Sequence, residues 1–96
     1  MRMSTITKHN LAGNGSPFAV LLGQEIRRRR VALHLSQAEV GEPLSRAFLS
    51  SVEKGRITPS LASLVIIARR LNSSAAAIIE CVEVVLEDGI ANGDAN

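Results

Sequence analysis

The segment 36–57, SQAEVGEPLSRAFLSSVEKGRI, constrains the fold most, because it predicts two short helices joined by a tight connection. Ser36, with Glu39 three residues later, has the pattern of a capping box at the start of the first helix. Gly41 weakens that helix, and Pro43 removes an amide donor and disfavours helical geometry just before it. The first helix is therefore predicted to be barely two turns long.

A second helix is predicted over residues 46–54, with Ser45 as its N-cap and Gly55 in the left-handed position after it. Leu49 and Val52 lie three residues apart and are expected to face inward. The other faces are small, polar and basic at the N-terminal end, which suits the DNA major groove. A short helix, a turn and an exposed second helix form the helix-turn-helix arrangement, whose second helix puts its N-terminal residues against base edges.

Four groups of residues then occur in the order of a known family: Ser36-Gln37, the run from Leu44 to Gly55, Pro59-Ser60-Leu61 and Ala68-Arg69-Arg70-Leu71. They closely resemble the Xre family of phage-repressor-like helix-turn-helix domains, over about residues 21–79. Between Gln37 and Ser45, however, the chain is two residues shorter than the usual family spacing. The resemblance implies an all-α, compact five-helix repressor-like domain, here with an extended C-terminal helix.

The resemblance also assigns DNA contacts. Arg46, Ala47 and Ser51 fall on base-reading positions, and an arginine there can bind guanine O6 and N7 together. The expected phosphate contacts, on matching positions or on the turn and loop that follow, are Gln37, Ser45, Phe48, Lys54, Arg56 and Thr58. Simple capping is the alternative role of Ser45, and packing against the short connection is that of Phe48. A tilt of the recognition helix would bring Ser50 rather than Ser51 toward the bases.

The first helix of the domain is predicted to start at Ser16-Pro17, with serine as N-cap and proline in the first helical position. The run from Arg27 to Arg30 covers most of the helix circumference, so at least two of these arginines are expected on a solvated face. Arg30 lies on the inward side, four residues after Ile26. It matches a family arginine that pairs with a glutamate of the recognition helix, which implies a structural Arg30–Glu53 salt bridge.

Beyond the motif, Thr58 and Pro59 are expected to start a fourth helix, whose inner stripe is Leu61, Leu64, Ala68 and Leu71. A last helix follows a cap at Ser73 or Ser74. Its extension is expected to form a homodimer contact through Ile78, Val82, Val85 and Leu86; packing against the first helix of the same chain is the alternative. The predicted divisions are a flexible arm at 1–15, the DNA-binding domain at 16–79, the helix extension at 80–87 and a flexible acidic tail at 88–96.

Composition and charge favour duplex DNA as the ligand. Nine basic and four acidic residues lie between positions 17 and 74, whereas all five charged residues after position 74 are acidic. The basic charge therefore belongs to the motif domain, as a phosphate-binding surface requires. Phe18 and Phe48 are the only aromatic residues, too few for the stacking platforms of single-strand binders. A single cysteine, with no signal peptide or membrane-spanning run, predicts a cytoplasmic chain.

These observations predict a sequence-specific transcriptional regulator that binds double-stranded DNA as a homodimer on a palindromic operator. The alternative is an antitoxin-like module that also binds DNA and engages a protein partner through its C-terminal helix. No nucleophile–base pair, metal constellation or phosphate-cradling glycine loop is recognisable, so the sequence predicts no enzyme, cofactor, catalytic residue or metal site.

Overall fold

The computed structural model describes the backbone of residues 15–95 and the side chains of residues 15–88. Within that range the chain forms five helices and no strand, in the order α1 (Pro17–Ala32), α2 (Gln37–Gly41), α3 (Arg46–Glu53), α4 (Leu61–Arg70) and α5 (Ala75–Ala95). The predicted all-α fold with five helices is confirmed. The predicted N-terminal arm lies outside the described residues, apart from Gly15.

Serine side chains cap the helices at the places that the sequence predicted for α1, α2 and α3. The Ser16 hydroxyl accepts a hydrogen bond from the Ala19 amide at 3.1 Å, and both halves of the Ser36 capping box are formed. Ser45 accepts one from the Phe48 amide at 2.9 Å. Each cap gives a hydrogen-bond acceptor to an amide that has no partner within its helix. This stabilises the first turn even in a helix as short as α2.

The predicted start of α4 was wrong. Ser60, not Thr58, is the N-cap, and its hydroxyl accepts a hydrogen bond from the Ser63 amide at 3.0 Å. Pro59 is buried in the connection before the helix instead of occupying its first turn. Threonine and serine are both good N-caps, so local sequence does not distinguish a helix capped by Thr58 from one capped by Ser60. Pro59 is buried when the helix starts after Ser60.

Every helix contributes to a single core. Its buried apolar side chains are Leu22, Ile26, Val40, Leu49, Val52, Leu64, Ile67, Ala68, Leu71, Ile78 and Val82. Leu61 does not belong to it, contrary to the predicted stripe, because its side chain is 72% exposed at the first position of α4. Ile67, which is fully buried, belongs to the core instead.

The C-terminal helix corrects two further predictions. α5 continues to Ala95, past the predicted end at residue 87; no proline interrupts it, and extending an existing helix costs far less than starting one. Ile78 and Val82 are 0% and 2% exposed, so these two proposed dimer contacts are occupied inside their own chain. They are covered because α5 packs along α1 and α4. Val85 remains 53% exposed, and Leu86 is partly exposed.

Within residues 15–95, no single helix has both the length and the apolar composition needed to cross a membrane. In the same range, α4 and the first part of α5 reach that length and composition only when they are counted together, and a bend of 103° separates them.

Candidate nucleic-acid interface

The two motif helices are joined by residues 42–45. The Ser45 amide donates a hydrogen bond to the Gly41 carbonyl at 2.9 Å, which closes this connection, and the Glu42–Pro43 peptide is cis. At the other end of α3, Gly55 adopts φ +73° and donates its amide hydrogen bond to the Val52 carbonyl at 3.0 Å. Both ends of α3 are therefore fixed by local hydrogen bonds.

One face of α3 is anchored and the other is open. Leu49 and Val52 are fully buried, whereas Arg46 and Ala47 in the first turn are exposed. Phe48 is partly buried and packs against the core cluster; its predicted phosphate contact and its alternative packing against the short connection both stay predictions. The anchored residues lie at the middle and near the C-terminal end of α3, and the N-terminal turn is left accessible.

A shallow hollow, here called the α2–α3 hollow, lies on that accessible side. Its lining consists of Gln37, Arg46, Ala47 and Ser50. The structure thus brings Gln37 of α2 together with two of the predicted base-reading residues. The third, Ser51, does not line the hollow; Ser50 does, which is the arrangement expected if the recognition helix tilts. Ser51 is partly buried, and its carbonyl accepts a hydrogen bond from the Arg56 amide at 3.0 Å.

Arg30 and Glu53 form a buried ion pair that joins α1 to α3. Arg30 Nε and Nη2 donate to the two carboxylate oxygens of Glu53 at 2.6 and 3.0 Å. Arg30 also donates to the Leu35 carbonyl at 2.8 Å, and Gln37 Nε2 donates to Glu53 at 3.0 Å. Hydrogen bonding to Glu53 raises the pKa of Arg30, against the opposing effect of burial. The pair therefore fixes the positions of α1, α2 and α3 relative to one another.

Further basic residues lie beyond the end of α3. Lys54 and Arg56 are exposed, and neither makes an ion pair with any side chain in the described part of the chain. Thr58 is partly exposed on the same connection, but its hydroxyl oxygen is buried, contrary to the predicted phosphate contact. Lys54 and Arg56 keep their full charge available to solvent, as a phosphate contact requires.

The sequence reasoning did not assign Arg27 to the interface. It treated the arginine run as largely a solvated face, but Arg27 lines a second hollow together with Arg46 and Gln37. Helical spacing alone could have placed Arg27 near the inward Arg30, since the two are three residues apart. The contribution of α3 to the same hollow depends on how the helices cross, which the spacing does not reveal.

A family model of helix-turn-helix domains matches residues 26–78, from the middle of α1 to the start of α5. The chain belongs to the Xre-like helix-turn-helix family. As a member of that family it is a DNA-binding regulatory protein, of a class that is not typically enzymatic. Comparison with curated proteins and with solved structures found no significant match.

Proposed function

We propose that this Xre-like protein is a transcriptional regulator that recognises a specific duplex sequence through the first turn of α3, and that it does so as a homodimer on a palindromic operator. The observation that carries the proposal is the α2–α3 hollow, where exposed Arg46 and Ala47 lie beside Gln37 and Ser50. An α-helix fits the major groove, where each base pair presents a distinct set of donors, acceptors and methyl groups.

Arg46 is the main base-reading residue in this proposal. Its guanidinium can donate two parallel hydrogen bonds to O6 and N7 of guanine, a contact that contributes about 1–3 kcal/mol of discrimination. Ala47 is placed to contact a thymine methyl group. Ser50 takes the third position in preference to Ser51, because Ser50 lines the same hollow.

The remaining predicted contacts are proposed to bind the DNA backbone. They are Gln37 and Ser45 before α3, and Lys54 and Arg56 after it. Thr58 is left out because its hydroxyl oxygen is buried. Ser45 keeps its capping role, since its hydroxyl can accept from the Phe48 amide and still donate to a phosphate. Such contacts fix orientation and carry no sequence information directly.

For the homodimer we propose the exposed face at the middle of α5, at residues 84–86. Val84 and Val85 are 50% and 53% exposed there, and Leu86 is partly exposed. Burying them against a second copy would remove apolar surface from water without disturbing the core. Two recognition helices related by a two-fold axis would then read half-sites about 34 Å apart, one turn of B-DNA.

Selection of bound fragments from genomic DNA, combined with sedimentation of the full chain, tests this function. An inverted repeat bound by a dimer is the expected result. A single asymmetric half-site bound by a monomer would overturn the homodimer, and weak binding to all sequences alike would overturn specific recognition. In the latter case the antitoxin-like alternative would be tested next, through a protein partner of α5.

A further inference from the structure

The second hollow at the interface, here called the α1–α3 hollow, is lined by basic and polar side chains from three helices. They are Arg27, Arg30, Ser36, Gln37, Ala38 and Arg46. Arg46 and Gln37 also line the α2–α3 hollow, so the two depressions adjoin. A molecule that lies across the first turn of α3 therefore reaches both of them.

The α1–α3 hollow carries more positive charge than its own structure neutralises. Glu53 is the one acidic side chain within salt-bridge distance of its arginines in the described part of the chain, and it is already engaged by Arg30 and Gln37. Arg27 comes only to 3.9 Å from Glu53, and its side chain is 61% exposed. The charges of Arg27 and Arg46, which both line the hollow, are thus not neutralised by a close carboxylate partner in that part of the chain.

Arg28, the next residue in the chain, provides a direct contrast. Its side chain is 63% exposed, much like that of Arg27. Both oxygens of Glu25 accept hydrogen bonds from it, at 3.1 and 2.5 Å. Arg28 does not line the α1–α3 hollow. It lines a neighbouring depression with Gln24 and Val31, which Arg27 also borders, so Arg27 lies between the two depressions. The two arginines therefore have the same charge and nearly the same exposure. They differ in that Arg28 is closely paired with Glu25, whereas Arg27 has no carboxylate closer than 3.9 Å among the described residues.

We infer that Arg27 is a DNA-binding residue, and that it holds one backbone phosphate in the α1–α3 hollow together with Gln37, while Arg46 stays directed at a base edge. A phosphodiester carries a single negative charge, which suits the uncompensated charge of the hollow. Arginine can present two parallel N–H donors to phosphate oxygens. The inference rests on the proposed function, because the adjoining α2–α3 hollow is what brings a duplex to this place.

The salt dependence of duplex binding tests the inference with the full chain. Each phosphate contact contributes about 0.9 to the slope of log K against log salt concentration. Arg27→Gln and Arg27→Met should each lower the slope by about that amount on the selected operator and on a random duplex alike. Arg27→Lys, which keeps the charge, should retain the slope, and so should the matched control Arg28→Gln.

A second measurement locates the phosphate. Operator duplexes are prepared in which single phosphates are replaced by neutral methylphosphonates. One position in each half-site should weaken binding by the wild type but not by Arg27→Gln. The inference is overturned if both neutral variants keep the wild-type slope, or if Arg27→Gln is weakened at every position where the wild type is. If the wild type prefers no sequence, the proposed function fails, while the slopes on random duplex still decide the role of Arg27.

Discussion

Gly23 of α1 lies directly against the backbone carbonyl of Val52 in α3: a Cβ atom at position 23 would be only 2.2 Å from that oxygen. The same Cβ would lie 2.7 Å from the Glu53 carbonyl oxygen. Neither neighbour is a flexible side-chain end that could move aside. The position of the recognition helix on α1 therefore depends on the absence of a side chain at residue 23, next to the Arg30–Glu53 ion pair.

Gly23→Ala should destabilise the fold and displace α3. The expected cost is about 1–3 kcal/mol or more, as for other overpacked sites, and DNA binding should weaken with it. Gly41→Ala is the control, because a Cβ there would meet the Arg46 amide nitrogen at a milder 3.3 Å. Its clash is offset by a gain in helix propensity of about 1 kcal/mol. Urea unfolding measures the free energy of unfolding of both variants. Equal values would contradict the close contact between α1 and α3 at Gly23.

Glu53→Gln should lower stability strongly, because it leaves the guanidinium of Arg30, only 10% exposed, without its counter-charge. Breaking one partner of a buried pair costs about 3–5 kcal/mol. Glu25→Gln breaks ion pairs to Arg28, which is 63% exposed, and to Arg29, which is 20% exposed, so it should cost less than Glu53→Gln. Thermal melting of both variants tests the difference. An unchanged melting temperature for Glu53→Gln would mean that the ion pair does not stabilise the fold.

Stability should depend on pH through Glu39. Hydrogen bonding from the Ser36 amide lowers the pKa of this carboxyl below its ordinary value of 4.5. A lowered pKa in the folded state means that the contribution is present above pH 4.5 and is lost as the pH falls through the folded-state pKa. Glu39→Gln keeps a capping-box residue but cannot titrate. Urea unfolding at pH 7 and at a pH below the folded-state pKa should therefore show a smaller decline for the variant; parallel declines would contradict it.

Arg46→Ala and Lys54→Ala should affect DNA binding differently. Arg46→Ala should relax the preference at one base pair per half-site, with a loss of about 1–3 kcal/mol on the operator. Lys54→Ala should weaken operator and random duplex equally and reduce the salt slope by about 1. Titrations against both duplexes at several salt concentrations separate the two. If Arg46→Ala weakened both duplexes to the same extent, its base-reading role would be refuted.

The outer and inner faces of α5 should respond differently to substitution. Val85→Ser alters a side chain that is 53% exposed, so it should dissociate the proposed homodimer with little effect on the folded monomer. Ile78→Ala removes a fully buried side chain and should cost about 2–5 kcal/mol of stability. Sedimentation and urea unfolding measure the two effects. A Val85→Ser protein that remained dimeric would place the dimer contact elsewhere.

Local sequence predicted the starts of α1, α2 and α3 correctly, but not the start of α4 or the end of α5. The caps at Ser16, Ser36 and Ser45 lie where expected, because a side-chain cap depends on residues only three positions apart. Asn72 adopts φ +56° after α4, a left-handed conformation that asparagine tolerates. The short α2 also follows directly from Gly41 and Pro43.

The sequence by itself therefore determined the five helices, the caps at the starts of α1, α2 and α3, the inward faces of α3 and most of α4, and the helix-turn-helix family. Only the tertiary structure decided what depends on how helices cross: the burial of Ile78 and Val82, the close approach at Gly23, and the shared hollow of Arg27 and Arg46. The physical reason is the separation along the chain of the residues that interact. Hydrogen bonds within one turn are specified by neighbours in the chain, whereas contacts between α1, α3 and α5 depend on the packing of the entire core.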